Sequence, residues 1–183
     1  SDTIIKDSYV ILEELKKHVI EVKDDQLKDV ATVSAGDEAI GQLIADGKIK
    51  ESDYFVDFYP EFKNGSSFDR VSIKNLLDMQ GGVGVSDNYP TGPQGWGVGI
   101  AQMYATTDMK WFIKHNRKMA FEPGTQGIYR SVDPQLIGMI IKKVTGESVS
   151  DYFSKNVWQP IGALTPATWN VDHVGGIEKT FCC

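Results

Sequence analysis

The chain has 183 residues, of which 41% are hydrophobic, 24% charged and 10% aromatic. These proportions are typical of a globular protein with one domain or two small ones, and they exclude an intrinsically disordered chain. A formal net charge of −6 argues against a nucleic-acid partner and against an anionic membrane surface. No apolar run approaches the ~18 residues that a transmembrane helix needs, and no signal peptide is recognisable, so we expect no membrane insertion.

The sequence offers no pattern for a metal or cofactor site. The three histidines stand alone, without a second ligand at helical or hairpin spacing. Cys182 and Cys183 are adjacent and lack the C-x-x-C spacing of a redox pair. The glycines at 95–99 lack both the Lys-Ser/Thr of a P-loop and the acidic partner of a dinucleotide site. We therefore predict no cofactor.

The first thirty residues have two interpretations. Residues 3–6 and 9–12 could form two short strands with a turn at Asp7-Ser8, whereas residues 9–18 have a composition that also suits a helix. We predict N-terminal strands over 1–30 and a mainly helical region over 36–183. The whole chain is predicted to be one domain.

Helical periodicity begins near Gly36. Ala39, Ile40, Leu43 and Ile44 fall on one face of a predicted helix that Gly47 would end in the left-handed conformation.

Two further helices follow in the next part of the chain. The spacing predicts one over 71–79, with Ser72 as its N-cap and the glycines at 81–82 beyond its end. Another is predicted over 107–116, with Thr107 as its cap and Asp108 in its first turn.

The strongest helix signal covers residues 133–146. Asp133 is the predicted cap, Pro134 the first helical residue and Gly146 the stop. Its apolar stripe consists of Leu136, Ile137, Ile140, Ile141 and Val144. A last helix is predicted over 148–158, with Ser148 and Asp151 in capping-box-like positions.

The stretch from 81 to 99 has a different composition. It is rich in glycine and contains two prolines, so it is predicted to be a long surface loop. Loops of this length in compact domains are usually functional, and we expect this one to shape a pocket together with Trp111. The helical pattern suits a core position for Trp111 as well.

Seven short segments occur in an order that carries more information than any one of them. In chain order they are DGKI at 46–49, YPEF at 59–62, LLDM at 76–79, FEPG at 121–124, Tyr129, TGES at 145–148 and WQPIG at 158–162. This order resembles the serine β-lactamase-like superfamily, which includes class C β-lactamases, related esterases and D-Ala-D-Ala carboxypeptidases. Tyr129-Arg130-Ser131 and the WNVD at 169–172 look most like the 6-aminohexanoate-dimer hydrolase branch.

The resemblance implies a function for the segment that contains Tyr129. Members of this superfamily form an acyl-enzyme on the serine of an S-x-x-K motif, and a tyrosine of a Y-x-N/S motif shares the proton transfer with the lysine. Tyr129 would be that tyrosine, and Ser131 would hydrogen-bond the substrate or the surroundings of the tyrosine. From the residues alone, a tyrosine before a helix is more often a half-buried packing residue, and the family order is what favours the catalytic role for Tyr129.

The nucleophile does not follow the family pattern. The chain contains no Ser-x-x-Lys, and an ungapped comparison places Val30 and Val33 where the serine and lysine would stand. A gap of a few residues brings Thr32 or Ser34 to the position of the serine. Ala35 and Asp37, respectively, then stand where the lysine is expected. Ser34 is therefore either a nucleophile candidate or simply the cap of the following helix.

The predicted fold is α+β, similar to β-lactamases and penicillin-binding proteins, with mostly the helical domain and a partial antiparallel sheet. A domain of this family is expected to need more than 183 residues, so the chain is expected to be truncated at its C-terminus, or else divergent. The predicted function is a serine hydrolase acting on a small-molecule amide or ester. A non-catalytic binding protein that retains the family cleft is the alternative.

Overall fold

The structure is a computed structural model that describes residues 35–88, 98–164 and 166–181. Seven α-helices fall within these residues: α1 (Ala35–Ala45), α2 (Phe55–Phe58), α3 (Ile73–Leu77), α4 (Gly99–Ala105), α5 (Met109–His115), α6 (Val132–Thr145) and α7 (Val149–Phe153). Short 3₁₀ turns at Pro60–Phe62 and Ser67–Arg70 lie between α2 and α3, and a π-helical turn, Ser154–Trp158, continues α7. No described helix is long and apolar enough to span a bilayer.

Helix α6 lies at the centre of the packing. Each of its residues from Val132 to Ile141 is buried, and it contacts α1, α2, α3 and α7. The predicted apolar stripe is confirmed, since four of its members are fully buried and Val144 packs against the core from its edge. Because these ten residues are buried on all sides of the helix, the start of α6 has a fixed position in the protein.

The predicted amphipathic face of α1 is also confirmed. Ala39, Ile40 and Leu43 are completely buried, and Ile44 is partly buried against the same core. Gly47 has a φ of 69° and follows the helix as predicted.

An aromatic cluster fills the space between α2 and the two 3₁₀ turns. Phe55 stacks on Tyr59 at 5.2 Å between ring centroids and meets Phe62 and Phe68 edge to face. Tyr59 is anchored from its polar end, because its hydroxyl donates to the backbone oxygen of Met139 at 2.8 Å. This bond joins the cluster to the middle of α6.

Helix caps follow the predictions in part. Ser72 caps α3, accepting from the Asn75 N–H at 3.1 Å, and Ser148 caps α7, accepting from the Asp151 N–H at 3.0 Å. The predicted cap of α5 is wrong: Asp108, not Thr107, accepts the first-turn N–H, that of Trp111 at 2.9 Å.

The start of α6 also differs from the prediction. The helix begins at Val132, and Asp133 lies inside its first turn instead of capping it. A carboxylate in the first turn is still favourable because of the helix dipole, but this one accepts from the Gly81 N–H at 3.1 Å. Helix α3 ends at Leu77, before the predicted boundary, and the chain reverses at Met79, which has a φ of 53°.

The predicted loop at 81–99 is confirmed as irregular over the described residues 81–88, and helix α4, which the periodicity did not reveal, begins at Gly99. The described residues form isolated antiparallel bridges but no strand, so the partial sheet stays a prediction. The predicted strands of residues 1–30 lie outside the described residues.

Candidate active site

The segment that carries Tyr129 is fastened to the end of α3. The Gly124 N–H donates to the Gln80 oxygen and the Ile128 N–H donates to the Met79 oxygen, both at 3.0 Å. Asn75 stabilises the same reversal, since its backbone oxygen accepts from the Gln80 N–H. The reversal after α3 therefore fixes the approach of the chain to Tyr129.

A glycine makes this close packing possible. Gly82 has a φ of 77°, and a Cβ at this position would lie 2.4 Å from the backbone oxygen of Phe121. Its own oxygen accepts from the Ala120 N–H at 2.8 Å, and the Gly84 N–H donates to the Lys118 oxygen at 2.7 Å. The backbones of 82–84 and 118–121 consequently run side by side at a distance that a side chain would prevent.

Asp87 binds Ser131 with both carboxylate oxygens. The Ser131 N–H donates to Oδ2 at 3.0 Å, and its hydroxyl donates to Oδ1 at 2.5 Å. Ser131 is buried, with 4% of its surface exposed. Two hydrogen bonds to one carboxylate fix both the backbone and the χ1 rotamer of Ser131, directly before α6 begins.

Arg130 is held from the same loop. Its Nη1 donates to the Val85 oxygen at 3.0 Å, and its guanidinium lies 5.4 Å from the centroid of the Phe121 ring. This contact is a cation–π interaction in which the aromatic ring faces the charged plane. Arg130 and Ser131 are thus both directed into the protein.

Tyr129 is directed to solvent instead. Its side chain is 58% exposed, and no hydrogen bond joins its hydroxyl to another described residue. The structure therefore presents an exposed phenol on a segment whose two following residues are fixed by charged contacts. The hydroxyl of such a phenol is available to a bound molecule, because no contact within the described part of the protein has to break first.

The structure does not bring Trp111 to this segment through any described contact. Ser34 is outside the described residues. Trp111 lies on the exposed side of α5 with 56% of its surface accessible, because Met109, Phe112 and Ile113 occupy the buried side. Its predicted contribution to a substrate pocket is not tested by these contacts.

Asp87 and Arg130 are site residues that the sequence reasoning missed. Asp87 lies 44 residues before Ser131, and no local spacing connects the two. The available signal was weak: a single aspartate in a glycine-rich stretch that otherwise lacks charge from 81 to 99. Within the described residues there is also no group of three or more His, Cys, Asp or Glu side chains able to hold a metal ion.

Comparison with known proteins identifies the framework around this segment. The family model described as "Beta-lactamase" matches residues 38–173. An Escherichia coli (strain K12) protein named "Putative D-alanyl-D-alanine carboxypeptidase" is 26% identical over 134 residues, which cover 72% of this chain and 30% of that protein. A Salmonella typhimurium (strain LT2) protein of the same name is 23% identical over 176 residues, which cover 87% of this chain and 40% of that protein.

Solved structures share the fold. A D-stereospecific amidohydrolase from Streptomyces sp. superposes with a TM-score of 0.54 at 24% identity, over 69% of this chain and 38% of that one. A structure titled "Putative 6-aminohexanoate-dimer hydrolase from Bacillus anthracis" gives 0.59 at 18% identity, over 80% and 40%. The chain thus spans well under half the length of these relatives. Because the family match covers about three quarters of its residues, the chain belongs to the beta-lactamase family.

Proposed function

We propose that this chain is part of a serine hydrolase that cleaves an amide or ester bond of a small molecule through an acyl-enzyme, with Tyr129 as the proton shuttle. One observation carries the proposal. In this chain of the beta-lactamase family, Tyr129 has an exposed phenol. The two residues that follow it are held in place, Arg130 by the Val85 oxygen and Ser131 by the Asp87 carboxylate. Fixed geometry of this kind is what a proton-transfer group needs.

The proposed chemistry has two steps. A serine oxygen attacks the carbonyl carbon, the bond to the leaving amine or alcohol breaks, and the serine proton passes through the phenol to the leaving group. Water then attacks the acyl-enzyme carbonyl, releases the acid and returns the proton to the serine. A neighbouring ammonium would stabilise the phenolate that forms when Tyr129 accepts the serine proton.

Ser34 is the proposed nucleophile. In the sequence it stands directly before Ala35, where α1 begins, and the unpaired N–H groups of a first helical turn are suited to stabilise an oxyanion. The proposed role for Ser131 is indirect: its hydroxyl is bound to Asp87, which supports a contribution to the surroundings of Tyr129 more than direct contact with substrate.

The names of the relatives support an amide substrate. Two of them are described as a D-alanyl-D-alanine carboxypeptidase and a D-stereospecific amidohydrolase. Both names describe cleavage of an amide bond, which agrees with the amide or ester class that we propose for this chain.

A non-catalytic binding protein is the second candidate function, and two observations favour it. The sequence contains no Ser-x-x-Lys. In addition, no described lysine makes a hydrogen bond to the Tyr129 hydroxyl. A protein with the family cleft but without a base for its serine would bind a carbonyl compound and release it unchanged.

Covalent labelling separates the two functions. The purified chain is incubated with a fluorescent β-lactam or a fluorophosphonate, and intact mass and peptide mapping locate any adduct. The hydrolase proposal expects one adduct, on Ser34, and no adduct on Ser34→Ala. Absence of any adduct on the unmodified, folded chain would refute the hydrolase proposal for this polypeptide and leave the binding function.

The role of Tyr129 has its own measurement. Tyr129→Phe is expected to slow adduct formation by about 10²-fold or more, the usual contribution of a proton-transfer group. Tyr104→Phe, which removes a hydroxyl from another exposed tyrosine, is the matched control and should label at the unmodified rate. Equal labelling rates for both variants would exclude Tyr129 as the shuttle.

A further inference from the structure

A shallow cleft lies on the surface beside the C-terminal end of α5, between that helix end and the turn at 64–67. Its volume is about 380 Å³. Each ionisable residue in its lining is basic: Lys114, His115, Arg117 and Lys118. The chain as a whole is acidic, with a net charge of −6, so this concentration of positive charge runs against its overall composition.

The positive charges of this cleft are not neutralised within the described part of the chain. No described carboxylate lies within ion-pair distance of Lys114, Arg117 or Lys118. Arg117 bonds to neutral groups, its Nε to the Lys114 oxygen at 2.7 Å and its Nη1 to the Phe62 oxygen. These bonds hold the guanidinium in place and leave its charge uncompensated.

Two carboxylates contact the lining. Asp69 accepts the backbone N–H of Asn64 at 3.0 Å and that of Gly65 at 2.8 Å, and the second, Glu122, has a cationic partner. The Ser67 hydroxyl donates to Glu122 Oε1 at 2.8 Å, while Glu122 Oε2 forms an ion pair with Arg70 at 2.8 Å. Glu122 is therefore already paired with a cation that does not line the cleft.

Neutral donors complete the lining. Asn64 Oδ1 accepts both the backbone N–H of Ser66, at 3.0 Å, and its hydroxyl, at 2.6 Å. This arrangement orients the Asn64 amide so that its NH₂ group, which carries two donors, is directed away from Ser66. The cleft thus combines ammonium and guanidinium groups with an amide donor, which is the chemistry that binds phosphate or carboxylate.

Helix-end electrostatics explains only part of this pattern. Lysine and histidine are favourable in the last turn of any helix, and Lys114 and His115 occupy that turn of α5. Arg117 and Lys118 lie beyond the helix end, and the dipole effect falls off within a turn. The lack of an acidic residue in the lining also has no explanation in helix stability.

An aromatic pair on α5 adjoins the cleft: His115 lines it, and Trp111, which is not in the lining, stacks on His115. Trp111 stacks on His115 with 4.3 Å between ring centroids and 25° between ring planes, and 56% of its surface is exposed. Trp111, Lys114 and His115 stand at i, i+3 and i+4, so they share one exposed face of the helix. An exposed, flat indole beside donor groups suits the apolar face of a sugar ring.

From this combination we propose that the cleft binds the phosphate or carboxylate group of a small sugar derivative, with Trp111 as the platform for the sugar ring. The basic residues and Asn64 hold the anionic group. None of the lining residues belongs to the segment 129–131, and the proposal does not depend on the hydrolase function.

The test uses isothermal titration of the full chain at a fixed ionic strength of about 0.1 M, because screening weakens exposed charges. The probes are inorganic phosphate, glucose 6-phosphate and glucuronate, of which the last two distinguish a phosphate from a carboxylate ligand. We expect saturable binding of at least one sugar probe, more tightly than inorganic phosphate. No saturable binding of either sugar probe would overturn the proposal.

Variants assign the binding to this cleft. The pair Lys114→Gln/Lys118→Gln is expected to weaken binding about tenfold, since each exposed charge contributes modestly. The pair Lys48→Gln/Lys50→Gln, after α1, has the same charge change and should bind as the unmodified chain does. Equal weakening by both pairs would reduce the effect to non-specific attraction and refute the site.

The role of Trp111 is tested by a separate measurement. Trp111→Ala should remove the advantage of the sugar probe over inorganic phosphate while inorganic phosphate binds as before. An unchanged affinity for the sugar probe would contradict the role of Trp111. Far-UV circular dichroism of each variant verifies that the chain remains folded.

Discussion

Asp87 accepts two hydrogen bonds from Ser131, one from its N–H and one from its hydroxyl, at 3.0 and 2.5 Å. The pair connects the irregular loop after α3 to the start of the buried helix α6. Since Tyr129 lies two residues before Ser131, the geometry of the proposed proton shuttle depends on a carboxylate 44 residues away from Ser131 in the chain.

Replacing Asp87 should destabilise the protein. Asp87→Ala leaves the buried Ser131 N–H and hydroxyl without their acceptor, at a cost of about 1–3 kcal/mol. Asp87→Asn keeps one acceptor oxygen and should cost less. Urea unfolding gives the stability of both variants. Together with Ser131→Ala and the double variant Asp87→Ala/Ser131→Ala, it measures the coupling energy between the two residues. A coupling energy near zero would mean that the two residues do not support each other.

Gly82 should not tolerate a side chain. Gly82→Ala places a Cβ 2.4 Å from the Phe121 oxygen in a backbone with a φ of 77°, so we expect a loss of about 1–3 kcal/mol. Gly41→Ala is the matched control. It lies within α1 with nothing within 4 Å of the added carbon, and it should stabilise the helix by about 0.5–1 kcal/mol. Thermal unfolding compares the two, and similar effects would contradict the steric argument.

The stability of the protein should fall at alkaline pH through Tyr59. Burial, with a smaller contribution from the nearby Glu61 carboxylate, raises the pKa of Tyr59 to about 12 from an ordinary value of 10.0. The unfolded phenol therefore ionises first. The stabilisation that Tyr59 gives the folded state is fully present below pH 10. It is lost as the pH rises towards 12, and the free energy of unfolding then falls by about 2–3 kcal/mol in total.

Tyr59→Phe isolates this effect. The variant loses the hydrogen bond to the Met139 oxygen and should be less stable at neutral pH. Its free energy of unfolding should also fall less steeply between pH 10 and 12 than that of the unmodified protein. Parallel curves for the two proteins, measured by urea unfolding across this range, would show that Tyr59 does not titrate as proposed.

Gln135 should be important for the C-terminal segment. Its amide nitrogen donates to the Glu178 oxygen at 3.0 Å, and its amide oxygen accepts from the Thr180 N–H at 3.1 Å. Gln135→Leu leaves both buried backbone groups unpaired and should cost about 2–4 kcal/mol. Gln159→Leu, at an exposed position with a single contact to Ser154, should cost far less.

Amide hydrogen exchange localises the effect of Gln135→Leu. The N–H of Thr180 is expected to exchange faster in the variant, whereas the N–H groups in the middle of α1 keep their protection relative to global stability. Unchanged protection at Thr180 would mean that the Gln135 side chain does not hold this segment.

The sequence by itself predicted five of the seven described helices, α1, α3, α5, α6 and α7, but neither α2 nor α4. The stripes of α1 and α6 and the caps Ser72 and Ser148 depend on neighbours three or four residues apart, so their signals are local. The order of short segments likewise sufficed to indicate the beta-lactamase family, which the comparison then confirmed. The same order made Tyr129 a candidate for the catalytic tyrosine, and that role stays a prediction.

The tertiary structure decided which polar groups meet. Aspartate is a common helix cap, and Asp133 was predicted to be one. Its carboxylate instead accepts the N–H of Gly81, which lies 52 residues earlier. Trp111 fits a core position by periodicity, yet it is exposed because other residues fill the buried side of α5. The contact of Asp87 with Ser131 is similar: it forms only because α3, Met79 and Gly82 turn the chain back on itself. Local patterns predict helices because the interactions that form a helix join residues three or four positions apart. Contacts between distant residues depend on the tertiary fold, which no short-range spacing in the sequence predicts.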